Sequence, residues 1–303
     1  MFIIKHRGLF FWITGVILFA ALFSMTFFGL RFGIDFTGGA LVQTTYEGGR
    51  PPAQELQSAL DVAGFSGYSL REANENDYIL RTGNMTASER AALAQTLSVG
   101  GRYPATVAQL TEVGPTIGKE LRNKSLVALG LVLLCILLFI AYAFRKVSKP
   151  ISSWVYGFIA LVTLLHDVII PVGFFAALGH FAGASVDTLF VTAVLTVLGF
   201  SVHDTIVVFD RVRENLRVNQ DKGRKEDFAD TAGRSLNQTF VRSINTSLTV
   251  LITLAVLFFV GPAATRDFAL TLLVGIIAGT YSSIFLATPL LVEFEKWRKN
   301  RKI

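Results

Sequence analysis

Cysteine is almost absent: Cys135 is the single one in 303 residues. That excludes an internal disulfide framework and any Cys-rich metal site. Charge is scarce too, 17% of residues against about 25% in an ordinary soluble domain, so an all-soluble chain is disfavoured. Only 8 Pro stand beside 26 Phe and 26 Gly, a balance that argues against disorder or a collagen-like repeat. No G-x-x-x-x-G-K-[ST] run occurs, and no G-x-G-x-x-G opens a helix after a strand, so neither nucleotide-binding loop is present. Any work the protein performs draws its energy from a partner or from an ion gradient.

What is abundant is apolar sequence in long blocks. Crossing a bilayer takes about 20 apolar residues per helix, and six blocks qualify: 8–30, 125–144, 151–183, 186–209, 243–264 and 268–292. Four carry no charge; the third holds His166 and Asp167, and the fourth holds Asp187, His203 and Asp204. The first block is about twice the length of a signal-peptide core and lacks a small-x-small exit, so it reads as an uncleaved anchor. Placing the N-terminus inside puts 18 of the 28 Lys and Arg on the cytoplasmic side: Lys5 and Arg7; Arg145, Lys146 and Lys149; eight in 211–242; five in 296–302. Short outer loops near His180 and Arg266 hold one. The net charge of +6 is therefore a topology signal, with both termini cytoplasmic, and nucleic-acid binding is set aside.

Residues 31–124 break the helical blocks. The stretch 33–45 reads as a strand with a bend at Gly38-Gly39. Pro51-Pro52 opens a helix to Ala63, with Gly64 as its stop. Short strands are expected at 68–72 and 78–82, around the turn formers 74–77. Thr86 and Glu89 form a capping box for a helix to Leu97, and 105–113 alternates as a last strand. The order β-α-β-β-α-β is that of a small α+β ferredoxin-like domain. The expected organisation is thus an α-helical polytopic membrane protein. Residues 1–30 form the N-terminus and first span, and 31–124 the extracytoplasmic domain. Residues 125–292 form five further spans with a cytoplasmic loop 210–242, and 293–303 a basic cytoplasmic tail.

An ionisable group at mid-membrane costs about 2.5–3.5 kcal/mol on insertion scales, so it normally has a partner or a water-lined path. Asp204 is the sharpest case. Arg242 enters the fifth span from the same side and is its natural partner. Arg242, Thr246, Thr249 and Thr253 share one helical face, as do Thr192, Thr196, Gly199 and His203; the two stripes are expected to face each other as a hydrated seam. Ser and Thr stripes commonly hold helices together, but an acid with a base reads as functional. Movement of Arg242 would change the proton affinity of Asp204, the behaviour of a conformationally gated proton carrier. His203 and Thr205 flank it as possible relay members.

His166-Asp167 repeats the His-Asp dipeptide. Adjacent residues diverge around a helix, and a metal needs three or four converging ligands, so neither a metal site nor an intramembrane hydrolase is expected. Asp167 also sits nearer mid-span than Asp204. A packing role and a place on the proton path both stand for this pair. Asp210 and Arg211 read as an interfacial anchor or the guard of a proton exit. Gly275, Gly279 and Ser283 form a small-residue packing face. Phe228, Ala232, Leu236 and Phe240 form an amphipathic stripe suited to the inner interface.

Five strings in register resemble the SecD/SecF family of bacterial protein-export membrane proteins. They are Gly33-Ile34-Asp35-Phe36-Thr37-Gly38-Gly39; Val113-Gly114-Pro115 with Gly118, Glu120 and Leu121; His166-Asp167-Val168; Asp204 to Arg211 with Arg213, Glu214 and Asn215; and Arg242-Ser243 with Asn245, Thr246 and Ser247. The resemblance spans essentially the whole chain. It implies the resistance-nodulation-division architecture, in which SecF supplies six helices and SecD six more. It also implies work in the inner membrane with the SecYEG channel, the SecA motor and YajC, using the proton motive force to draw preproteins outward. In that family a fourth-span Asp and a fifth-span Arg serve proton transport, and they match Asp204 and Arg242. Where the family often carries Asn or another small polar residue before that Asp, this chain has His203. The resemblance implies a transport subunit, not an enzyme, with no cofactor. Two alternatives stand beside it: a non-conducting stabiliser of the translocon, and half of a proton-driven lipid or drug exporter.

Overall fold

The computed structural model describes residues 2–73, 75–144 and 151–301. Asn74 of the expected turn, the basic residues Arg145, Lys146 and Lys149, and Lys302 of the tail lie outside them. In chain order the elements are α1 (Phe2–Lys5), α2 (Arg7–Phe27), α3 (Ile34–Thr37), β1 (Gly39–Tyr46), α4 (Ala53–Val62), β2 (Ser69–Glu72), β3 (Asp77–Thr82), α5 (Ala87–Leu97) and β4 (Ala105–Val113). They are followed by α6 (Pro115–Ala143), α7 (Ser153–Ala182), α8 (Thr188–Asp221), α9 (Phe228–Val260) and α10 (Ala263–Ser282). A π-helical turn (Ser283–Ala287) leads from there into α11 (Thr288–Asn300). Among the described residues, six helices are long and apolar enough to cross a membrane: α2, α6, α7, α8, α9 and the continuous run Ala263–Asn300. The chain divides into two compact units, one from 1–29, 128–177 and 190–303, the other from 30–127 and 178–189.

In the helical unit, small residues decide how closely backbones approach. A Cβ on Gly173 would meet Ala21, one on Gly275 would strike the Val197 side chain, and one on Gly279 would lie 2.9 Å from Ser201 Cβ. The face expected from Gly275, Gly279 and Ser283 is therefore where α10 meets α8. Pro171 lies inside α7 and offers no N–H to the Asp167 carbonyl four residues earlier. The backbone ladder is thus interrupted at Pro171 in α7 and at the π turn after α10, which Pro289 follows.

Helices α6, α8, α9 and the run Ala263–Asn300 all extend beyond their apolar blocks. The fourth continues to Asp221 and ends at Gly223, whose φ of 64° suits a glycine helix stop. The fifth begins at Phe228, before the apolar block, because 228–242 stays helical against protein. Phe228 and Ala232 pack in a cluster with Phe144, Tyr156 and Phe209, and Leu236 packs with Val208 and Ile284. The amphipathic stripe expected at the bilayer surface is thus corrected: it is buried in the helical unit. Glu226 staples the connection, accepting from Asn219 Nδ2 at 2.6 Å, Thr231 Oγ1 at 2.9 Å and Arg234 Nη2 at 2.5 Å.

In the other unit, a four-stranded antiparallel sheet has the order β2-β3-β1-β4. Ala40, Val42, Thr44 and Tyr46 alternate inward along β1, as a half-buried strand requires. Val42, Tyr46 and Leu80 pack with Leu56 and Leu60 of α4 and Leu93 and Leu97 of α5. Buried Tyr46 donates its hydroxyl to Leu97 O at 3.0 Å, and Tyr78 to Pro51 O at 2.9 Å; burial raises both phenols above their ordinary pKa. Thr86 and Glu89 form the full capping box, and the reciprocal bonds from Thr86 hold the Glu89 carboxyl below its usual range.

The strand expected over 33–45 is corrected. Its first part is the helical turn α3, and β1 starts at Gly39 because Gly38 (φ 78°) and Gly39 (φ 129°) turn the chain. Both glycines are required by space as well. A Cβ on Gly38 would lie 2.8 Å from Pro115 Cα, and one on Gly39 would strike Thr82 O. Gly118 closes the same junction, since its Cβ would lie 2.9 Å from Gly38 N.

Gly38→Ala therefore combines a left-handed backbone with a clash. We expect a loss of about 2–4 kcal/mol, read as a lower thermal midpoint of the solubilised protein. Gly48→Ala, where nothing lies within 4 Å of the added carbon, should shift it little. A second prediction concerns Glu226. Partial burial opposes its charge, but the bonds from Asn219, Thr231 and Arg234, with the Arg234 charge, outweigh it and hold the carboxyl below its ordinary pKa. A depressed carboxyl contributes stability that is present above the ordinary value of about 4.3 and is lost as pH falls through the lower folded value. Hydrogen-exchange protection of the connection between α8 and α9 should drop over that acid window, and Glu226→Gln should flatten the pH response.

Candidate functional site

Four helices of the helical unit bring polar side chains to one buried layer. Asp204 of α8 is 7% exposed. Its Oδ1 accepts from Ser243 Oγ of α9 at 2.5 Å, while its Oδ2 is enclosed and has no hydrogen-bond partner among the described residues. One residue on, Thr205 Oγ1 lies 2.8 Å from Ser283 Oγ, tying α8 to the first residue of the π turn. Ser247 of α9 accepts from Thr280 Oγ1 of α10 at 2.6 Å.

Asp167 of α7 is fully buried and well supplied with donors. Ser201 of α8 donates to its Oδ2, and Ser282 of α10 donates to the same oxygen at 2.9 Å. Its Oδ1 lies 2.8 Å from His166 Nδ1. Neighbouring residues on a helix usually diverge, yet this pair bonds to itself. His166 Nε2 is buried with no hydrogen-bond partner among the described residues, and its ring stacks at 6.1 Å on Tyr281. Tyr281 in turn donates to Phe10 O at 3.1 Å and lies 3.1 Å from Thr14 Oγ1, which brings α2 into the network. Asp167 meets Ser201, three residues before Asp204, so the two acids lie at levels about one turn of α8 apart.

Other site residues fall differently. Arg242 is exposed and reaches Asp204 through its field, as His203 does; Ser243, not Arg242, makes the bond. The expected seam of facing stripes is corrected. Thr246, Thr249 and Thr253 on α9, and Thr192, Thr196, Gly199 and His203 on α8, are all exposed on this chain. Thr196, Thr249 and Thr253 return their hydroxyls to backbone carbonyls of their own helices. The faces turned inward carry Ser201 and Thr205 on α8, two positions from the expected stripe, and Ser243 and Ser247 on α9, one position from theirs. A spacing of four between Ser243 and Ser247 was the available signal, and the longer Thr run masked it. Asp210 is exposed and Arg211 bonds Glu214 at 2.8 Å, so neither joins the network.

The glycine motif is placed elsewhere, in the sheet unit. Phe36 is buried, and Asp35 Oδ2 accepts from Thr188 N at 2.9 Å. Asp35 thus caps the first turn of α8 from a distant part of the chain, a favourable place for a carboxylate. Among the described residues no group of three His, Cys, Asp or Glu is arranged to hold a metal ion. What the layer offers is two buried carboxylates, each taking a hydrogen bond from serine hydroxyls of neighbouring helices, and an imidazole bonded to one of them, groups that can hold and exchange protons.

Comparison with known proteins gives consistent matches. The family described as "Protein export membrane protein SecD/SecF, C-terminal" matches residues 95–297, and the "SecD/SecF GG Motif" matches residues 23–49. The protein translocase subunit SecF of Thermobaculum terrenum is 44% identical, over 97% of this chain and 93% of that protein. The one from Anaerolinea thermophila is 37% identical, over 98% and 95%. The crystal structure of SecDF, a translocon-associated membrane protein from Thermus thermophilus, superposes with a TM-score of 0.83 at 30% identity, covering 96% of this chain. This chain spans 38% of that longer one.

The hydroxyl clamp on Asp167 predicts a specific stability effect. Ser282→Ala removes one donor from a buried carboxylate and should cost roughly 0.5–2 kcal/mol, seen in thermal unfolding of the detergent-solubilised protein. Ser282→Thr retains the hydroxyl and should recover most of the loss.

Proposed function

Because the chain belongs to the SecD/SecF family of protein-export membrane proteins, we propose that it is a SecF-type subunit that couples proton flow to late-stage protein translocation. The observation that carries the coupling is Asp204. One carboxyl oxygen is held by Ser243 and the other is enclosed without a donor, in the field of Arg242 and His203. Oδ2 is the atom that takes the proton. Arg242, on the exposed side of α9, is the charge whose approach and withdrawal sets the proton's release, and Asp167 with His166 is a second station one turn away.

The exposed Thr and His stripes give the subunit its partner. Polar rows on a membrane helix are unfavourable against lipid, so they face a second set of six helices, from SecD. The longer length of the solved SecDF chain supports that reading. The assembly then works with SecYEG, SecA and YajC on an emerging preprotein. The protein lies in the bacterial inner membrane with both termini cytoplasmic, and residues 31–124 form an extracytoplasmic ferredoxin-like domain. It performs transport and no covalent chemistry.

The test uses inverted vesicles containing this chain and SecD. Preprotein translocation is followed with and without a proton gradient, for the native chain and for Asp204→Asn. The gradient-dependent part should vanish in the variant while the assembled complex stays at normal abundance. An equal response of both chains to the gradient would make Asp204 a buried structural acid and leave the subunit a stabiliser.

A further inference from the structure

His166 is the one buried histidine of the chain. It is 2% exposed, while His6, His180 and His203 are exposed. An imidazole has two nitrogens to satisfy, and here they are treated differently. Nδ1 lies 2.8 Å from Asp167 Oδ1, whereas Nε2 is enclosed with no hydrogen-bond partner among the described residues. Leaving a buried polar atom unpaired is costly, and catalytic or redox duty is one of the few grounds on which folded proteins keep one.

The hydrogen bonds fix where the protons are. Asp167 Oδ2 accepts from Ser201 of α8 and from Ser282 of α10, and donors on a carboxylate favour its ionised form. The contact between Nδ1 and Oδ1 holds one proton. Of the two side-chain types imidazole is the stronger base, with a free pKa of about 6.5 against about 3.9. The proton therefore sits on Nδ1, which donates to Asp167, and Nε2 carries a lone pair. Tyr281 does not engage that lone pair. Its hydroxyl donates to Phe10 O at 3.1 Å, and its ring is stacked on the imidazole with 21° between the planes, whereas the lone pair points outward in the imidazole plane.

We infer that His166 Nε2 is a second proton-binding atom of the bundle, and that Asp167 is its positioning residue, which stays ionised and holds the imidazole in one tautomer. The inference rests on the proton-carrying reading of the layer around Asp204 and adds to it the atom and the division of roles. Uptake forms one N–H bond at Nε2 with a proton drawn from water, and release returns it; the Nδ1 proton stays on the ring throughout. The pair passes from a single net negative charge to neutrality, as imidazolium beside carboxylate, and a paired charge is the form that a buried layer tolerates. The ionisable groups about the ring are Asp167 on its own helix and Tyr281 on α10, whose π face favours a cation. On α8, one turn beyond Ser201, stands Asp204 in the field of His203 and Arg242. Helix α2 joins through Tyr281 with Thr14 and Phe10 O and has no charged residue after Arg7.

Ring-nitrogen NMR of the full-length protein, carrying isotope-labelled histidine and reconstituted in phospholipid vesicles, tests this, because the two neutral tautomers and the imidazolium give separate signals. His166→Gln assigns the signal; if that variant misfolds, His6→Gln, His180→Gln and His203→Gln assign it by elimination. Spectra of the native chain are taken over about pH 5–8, the span in which histidine changes charge. The expected result is a pure Nδ1–H tautomer at the alkaline end that becomes imidazolium as pH falls, with the same conversion in Asp204→Asn. In Asp167→Asn the fixed tautomer should be lost and both neutral forms appear, since the bond made by one ring nitrogen sets the other. An Nε2–H tautomer in the native chain, or a ring that stays neutral over the whole range, would overturn the proposal. So would loss of the conversion in Asp204→Asn, which would make the proton one shared with that acid, or an unchanged tautomer in Asp167→Asn with native circular dichroism. The deciding spectra are those of the native chain and no translocation is read, so a failure here is distinct from a failure of the coupling assigned to Asp204.

Discussion

A carboxylate removed from water inside a helical bundle needs donors, and the donors here are serine and threonine hydroxyls. Such side chains are short, so the helices must lie close for the bonds to form. That requirement explains why α10 presents Gly275 and Gly279 to Val197 and Ser201 of α8, and why Ser282 can reach Asp167 on α7. Close packing and polar satisfaction are the same constraint in this layer. Bulk on the α10 face would separate the helices and strip Asp167 of its donors.

Against that well-satisfied acid, Asp204 stands out because half of its carboxyl has no donor. Both oxygens of Asp167 are bonded, by Ser201, Ser282 and His166, while Asp204 has one oxygen held by Ser243 and one with no partner among the described residues. Asp167 lies where backbone ladders are interrupted: Pro171 frees its carbonyl, and the π turn begins immediately after its donor Ser282. Helices interrupted in this way bend at such points rather than along their regular turns.

The glycine motif solves a separate problem in the sheet unit. Gly38, Gly39 and Gly118 let the chain turn from α3 into β1 against the start of α6, and Asp35 beside them caps α8. A short string that reads as a strand with a bend is thus a junction, required by left-handed backbone and by contact distances that no side chain tolerates. Backbone bonds from Gly33 N to Val186 O and from Val186 N to Arg31 O also fix Arg31 beside the loop at 183–186.

The amino-acid sequence by itself determined the six spanning helices, the order β-α-β-β-α-β, the capping box at Thr86 and the two acids at the centre of the bundle. Each rests on local composition or on periods of two and 3.6 residues, which act within one element. Tertiary structure decided which face of each helix turns inward. The Thr stripes turn outward, and the side chains that meet the acids lie one position from the stripe on α9 (Ser243) and two on α8 (Ser201), with the glycine face of α10 packed against α8 at Val197 and Ser201. Tertiary structure also decided that Asp35 caps a helix that begins 153 residues later. Those pairings depend on contacts between distant segments, and no periodicity along the chain encodes them.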